Sequence, residues 1–210
     1  MYVPDHFSVP DPEVLRQLIA AHPFGVLITH GDRGLDANHL PFELDCRAGR
    51  NGVLRAHVAR ANPLWREVVA GAEVLVIFRA DDAYVSPNWY PSKQEFPRQV
   101  PTWNYRVVHA YGNITVHEDQ DFLRGVVGRL TQIHESTQSV PWKLSDAPPD
   151  YIDAMLRAIV GIEIAVTRLV GKFKLSQNRE LRDRVALAEA LTRGGAHSLG
   201  EATRNAIKER

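Results

Sequence analysis

FGVLITHGDRGLDANHLPFELD, residues 24–45, reads as two strands back to back. FGVLITH (24–30) and LDANHLPFELD (35–45) flank the turn residues Gly31, Asp32, Arg33 and Gly34, and Leu40, Phe42 and Leu44 alternate with polar neighbours. That is the pattern of a half-buried hairpin. Pro41 has no N–H to give to a ladder, so it marks an edge or a bulge. Outward from the hairpin, VLRAHV (53–58) follows turn-forming RAGRNG, and AEVLVIFRA (72–80) is apolar enough to be buried on both faces. Residues 102–117 make a long strand, and IEIAVTRLV (162–170) alternates as another.

Helices occupy the start and the C-terminal half. Asp11-Pro12 caps a first helix that Pro23 ends, and Asn62-Pro63 opens a short one over 63–70. Leu123, Val126, Val127, Leu130 and Ile133, and then Tyr151, Ile152, Met155, Leu156 and Ile159, each form the apolar face of an amphipathic helix. Residues 178–195 form a helix closed by two glycines, and Ser198 with Glu201 is a capping box for a last polar one. Strands and helices do not alternate as a doubly wound parallel sheet requires. The pattern predicts an α+β, mainly β fold: a six-stranded antiparallel barrel with peripheral and C-terminal helices, one domain over residues 1–195 and a helical tail over 196–210.

With 44% hydrophobic and 24% charged residues in 210, the composition is that of an ordered globular protein. The single Cys46 excludes an internal disulfide framework and reads as a small buried strand residue. There is no export signal at the N-terminus and no apolar run of about 18 residues. The expectation is a cytoplasmic protein with no membrane partner. Formal charge is zero, but residues 168–210 carry ten Lys and Arg against five Asp and Glu, which reads as a phosphate- or DNA-facing segment or as a solvated helical face. The P-loop, G-x-S-x-G and H-E-x-x-H patterns are absent, and the nine histidines show no ligand register, so no metal site is expected.

Three runs carry chemistry. HVARANP (57–63) leads a strand into a helix start, with His57 and Arg60 as donors beside Asn62; it reads as an anion site, or as an exposed cation and a plain cap. SPNWYPSK (86–93) leads into PTWNY (101–105), where aromatic rings stiffened by proline suit a flat amphipathic ligand, a packed loop or a dimer interface. GKFKLSQNR (171–179) reads as an anion-binding corner, or as a bare helix start with solvated lysines and Ser176 or Asn178 as cap.

Taken in order, HLPFEL, LRAHVARANP, YVSPNWYPSK, VPTWNYRVVHAYG and GKFKLSQNR resemble the motifs of the PaiB-type family of FMN-binding negative transcriptional regulators. The resemblance runs from the first helix to about residue 193. It implies an FMN-binding split β-barrel, a homodimer with FMN at the subunit interface, and possible DNA binding. Carried over position by position, it implies that His57, Arg60 and Asn62 meet the FMN phosphate and ribityl oxygens. His39 and Leu40 lie beside the ring, Trp103, Asn104 and Tyr105 face the cofactor cleft or the other subunit, and Lys174, Ser176, Gln177 and Asn178 complete the site. Two other readings stay open: a small FMN oxidoreductase using NAD(P)H, in which the cofactor does the chemistry, and a haem-handling relative of the same barrel. No catalytic side chain stands out.

Overall fold

The computed structural model describes residues 1–208 of the chain. Its first elements are β1 (Ser8–Val9), α1 (Pro12–Ala21), β2 (Phe24–Gly31), β3 (Gly34–Pro41), β4 (Glu43–Asp45), β5 (Val53–Ala59), α2 (Leu64–Glu67) and β6 (Glu73–Val85). They are followed by β7 (Thr102–His117), α3 (Gln120–Glu135), α4 (Pro149–Arg157), β8 (Ile159–Lys174), α5 (Leu181–Arg193) and α6 (His197–Lys208). The strands form one sheet in the order β3-β2-β6-β7-β8-β5-β4, with β1 added on β8. The pairs β2–β3, β2–β6, β4–β5, β5–β8 and β1–β8 are all antiparallel.

The hairpin holds as read, in register from Phe24 opposite Pro41 to Gly31 opposite Gly34. Gly34 adopts φ 98°, the left-handed region that the tight turn requires. The second run does not stay one strand. It stops at Pro41 and resumes at Glu43, so β3 and β4 sit at opposite ends of the strand path with Phe42 alone between them. This split, with the two-residue β1, raises the strand count to eight where six were expected.

The chain divides into two compact units. One comprises residues 16–78 and 109–169. Here the strand path begins and ends on either side of Phe42, so the sheet curls until its two edges meet, which answers the edge-strand problem by closure. Its interior is filled by Leu27, Leu54, Val76, Phe78, Ala110, Ile114, Ile162 and Ile164, all 0% exposed. Each large one contributes about 1.5–3 kcal/mol as an upper estimate. Gly112 allows β7 to approach β8: a Cβ there would lie 2.5 Å from the Ala165 carbonyl oxygen and 2.7 Å from Ile164 Cγ2. Asp119 caps α3 through the N–H groups of Asp121 and Phe122, and α3 and α4 meet around Leu123, Ile152 and Leu156.

The other unit comprises residues 1–15, 79–108 and those from 170 onward. Val85, Tyr90, Leu175, Leu187, Leu191 and Leu199 form its core. The proline-rich stretch 86–101 is pinned to α5 here: the Ser92 hydroxyl donates to buried Asp183 at 2.6 Å, Arg179 donates to Gln99 at 2.6 Å, and Arg182 grips Glu95 with two bonds at 2.6 and 2.7 Å.

Several local expectations shift. The helix read over 63–70 is the four-residue α2, although Asn62 does cap it by accepting from Leu64 N at 2.9 Å. Ser198 lies inside α6, which starts at His197, and its hydroxyl accepts from Arg106. Neither Ser176 nor Asn178 caps α5, whose N-cap position is Glu180. Cys46 is exposed in a turn, not buried in a strand, because β4 ends at Asp45. Residues 209 and 210 of the expected 196–210 tail lie outside the described residues. No helix among the described residues is long and apolar enough to cross a membrane.

Candidate functional site

The expected site residues fall into two clusters, one in each unit. In the barrel unit, strand alternation on β3 leaves His39 exposed beside Phe24, ring centroids 6.3 Å apart, while Leu40 turns inward at 9% exposure. Asn62, fixed as the α2 cap, donates to Asn38 Oδ1 at 2.7 Å, and Asn38 donates on to Asp36 at 2.8 Å. This chain ties the end of β3 to the turn after β5. Asn38 was absent from the sequence-based list, though it sits one residue before His39.

His57 lies half-buried on β5 opposite Gly161, and its Nδ1 is buried with no hydrogen-bond partner. Burial pushes the imidazole below its ordinary pKa, so the ring is neutral at pH 7 and offers a ligand one polar edge. Arg60 is differently placed from what a free phosphate ligand needs. Its Nε donates to the Arg157 carbonyl at 2.8 Å, Nη2 to the Ile159 carbonyl at 3.2 Å, and Nη1 to Glu118 at 2.6 Å. The guanidinium clasps the turn after β5 to the start of β8, and Glu118 already balances its charge.

In the other unit, β7 separates the Trp-Asn-Tyr triad by its two-residue period. Trp103 and Tyr105 share the outer face, with Trp103 54% exposed and edge-to-face with Tyr84 at 6.1 Å. Asn104 points the opposite way and is 0% exposed. Its carboxamide donates to the Ser176 hydroxyl at 3.0 Å. Ser176 is the sole non-glycine residue with positive φ among those described, at 62°. Asn104 therefore holds a strained corner in place. Gln177 reinforces it, with Oε1 accepting from Leu175 N at 2.7 Å and Nε2 donating to the Phe173 carbonyl at 2.6 Å. Asn178 is exposed beyond it.

The cations of this corner are the telling feature. Alternation along β8 puts Lys172 and Lys174 on one face. Lys174 Nζ donates to Thr102 Oγ1 at 2.6 Å and to the Trp103 carbonyl at 2.5 Å. Lys172 Nζ lies 5.6 Å from the ring centroids of both Tyr2 and Tyr105. Neither lysine pairs with a carboxylate among the described residues. Burial, and then the neighbouring charges of Lys172 and Arg179, pull the Lys174 pKa below its usual value. A region where cations crowd one another without an acid is short of an anion. Lys172 belongs to the GKFKLSQNR run read as an anion-binding corner but not to the residues carried over from the resemblance, and Tyr2 belongs to neither. The period of two in GKFK was available to find the lysine, whereas nothing in the sequence links residue 2 to residue 172.

A family model described as "Putative FMN-binding domain" matches residues 1–168. An uncharacterized protein of Emericella nidulans is 33% identical over 94% of this chain and 92% of its own length. Protease synthase and sporulation protein PAI 2 of Bacillus subtilis is 31% identical over 91% of this chain and 89% of its own. Among solved structures, the flavocytochrome Anf3 of Azotobacter vinelandii superposes with TM-score 0.61 at 13% identity, covering 82% of this chain and 72% of that one. That last likeness is one of fold: a split barrel.

Proposed function

The chain belongs to this FMN-binding domain family, and from that premise we propose that it works as an FMN-binding homodimer of the PaiB type that represses transcription. The uncompensated Lys172–Lys174 corner beside Tyr105 and Trp103 is the observation that carries the assignment of the cofactor. FMN brings a phosphate with nearly two negative charges and a flat redox-active ring. The lysines match the phosphate, and the exposed aromatic face of β7 suits the ring or the second copy that covers it. Arg179 adds positive charge behind Lys174, and the Asn104–Ser176 bond keeps the corner in shape. In the barrel unit, Arg60 and Asn62 are spent on holding strand ends in place.

The regulatory half of the reading is supported by the basic C-terminal segment. It begins in β8 and runs on through α5 and α6, two helices joined by Gly194, Gly195 and Ala196, with Gly195 at φ 88°. The PAI 2 relative is named for sporulation and protease synthesis, in keeping with a regulator.

Titration of the purified protein with FMN and with riboflavin, followed by quenching of flavin fluorescence, tests the cofactor assignment. FMN should bind at least about tenfold tighter than riboflavin, and the K172A/K174A variant should erase the difference without weakening riboflavin, a gap of about 1.4 kcal/mol. Equal affinity of the wild type for both flavins would overturn the phosphate corner. DNA retention should fall linearly in log–log form with salt if α5 and α6 meet phosphates.

A further inference from the structure

The unit that carries the lysine corner also holds a cleft of about 510 Å3 on a different side of the chain. Its walls are Val9 and Val14 from the N-terminal segment, Phe173 and Leu175 from the end of β8, and Ala202 from α6. A cleft of this size is ample for a small organic ligand. It is separate from the phosphate corner by strand geometry, since Phe173 faces away from Lys172 and Lys174.

One polar group in the cleft lacks what it needs. Arg106 reaches in with its guanidinium 5.9 Å from the centre of the Phe173 ring. Its Nη2 donates to Asp81 at 3.0 Å and to the Ser198 hydroxyl at 3.0 Å. Its Nε–H is buried and has no hydrogen-bond partner. A desolvated guanidinium N–H beside an aromatic face is the recognition element for a carboxylate attached to an apolar body. The charges around it narrow the class. Asp81 is ion-paired to the arginine at 3.0 Å, and exposed Asp5 and Asp11 stand among the lining residues. These acids repel a doubly charged phosphate about twice as strongly as a single carboxylate, which needs only the one unpartnered donor.

We propose that this cleft is a second small-molecule site, which takes a monoanionic aryl or branched-alkyl carboxylate with an oxygen on Arg106 Nε and its apolar body against Phe173, Val14 and Ala202. The site shares neither lysine with the flavin assignment, and only Gln177, which braces the lysine corner from behind, also lines the cleft.

Fluorine NMR of 4-fluorobenzoate added to the full chain tests this, with 4-fluorophenyl phosphate as the dianionic counterpart. The wild type should broaden the fluorobenzoate line saturably, with the phosphate at least about tenfold weaker. Ala202→Trp and, from the opposite wall, Val14→Phe should each abolish binding by filling the cleft, and Arg106→Lys should weaken it about tenfold by removing the planar donor. Saturating FMN should leave the fluorobenzoate affinity unchanged. Absence of saturation up to about 10 mM ligand, full binding in whichever wall variant keeps the wild-type melting curve, equal affinity for the phosphate, or competition by FMN would each overturn the assignment.

Discussion

At the scale of single residues, Ser176 concentrates the tension of the lysine corner. Its left-handed backbone costs of order 1 kcal/mol or more, and its hydroxyl satisfies the buried carboxamide of Asn104. Replacement by alanine keeps the strain and strands Asn104, so S176A should lose about 1–3 kcal/mol in urea unfolding. Replacement by glycine loses the same bond but relaxes the backbone, so S176G should be about 1 kcal/mol milder than S176A. Titration offers a second residue-scale outcome. Burial lowers the pKa of both His57 and His109 below the ordinary 6.5. The unfolded chain then takes up protons before the folded one as pH falls, so the associated stability is intact above 6.5 and drains away below it. The melting temperature should decline between about pH 6.5 and pH 5, and the decline should be shallower in His57→Gln.

At the scale of elements, β7 does two jobs along its length. In the barrel unit, Gly112 lets it pass β8 closely, and in the other unit it splays aromatic rings outward. Gly112→Ala would drive a Cβ against the Ala165 carbonyl, which cannot move aside as a side-chain tip can. A loss of about 3 kcal/mol, at the upper end of overpacking effects, is the expected result of denaturant titration. The stretch 86–101 follows the same logic in reverse. Its length and prolines suggest an independent loop, yet the Ser92–Asp183 bond and the Arg182–Glu95 clamp make it part of the α5 layer.

At the scale of the whole molecule, β7 and its neighbour β6 present exposed aromatic surface, with Trp103 on β7 54% and Tyr84 on β6 45% exposed. Under the proposed assembly, Trp103→Glu should shift sedimentation to the monomer mass and weaken FMN binding together, while the folded subunit keeps its far-ultraviolet spectrum because the side chain supports no core. A dimeric W103E protein with wild-type FMN affinity would remove this face from the interface.

The hairpin at 24–45, the long strand from Thr102 and the helices α1, α3 and α4 were legible in the sequence, because turn residues, caps and apolar periods are local signals that neighbours in the chain carry themselves. So was the membership of the lysine corner in a strand-to-helix junction. Tertiary structure alone decided the rest. The break at Pro41–Phe42 acquires its meaning only when β3 and β4 turn up at opposite ends of a sheet that closes on itself. Arg60 reads as a free cation until Glu118, 58 positions away, takes its charge. Asn104 looks like a ligand contact until Ser176, 72 positions away, meets it in the core. A side chain's type is written at its own position, but whether it is spent on the fold or left over for a ligand depends on which distant group the chain brings beside it.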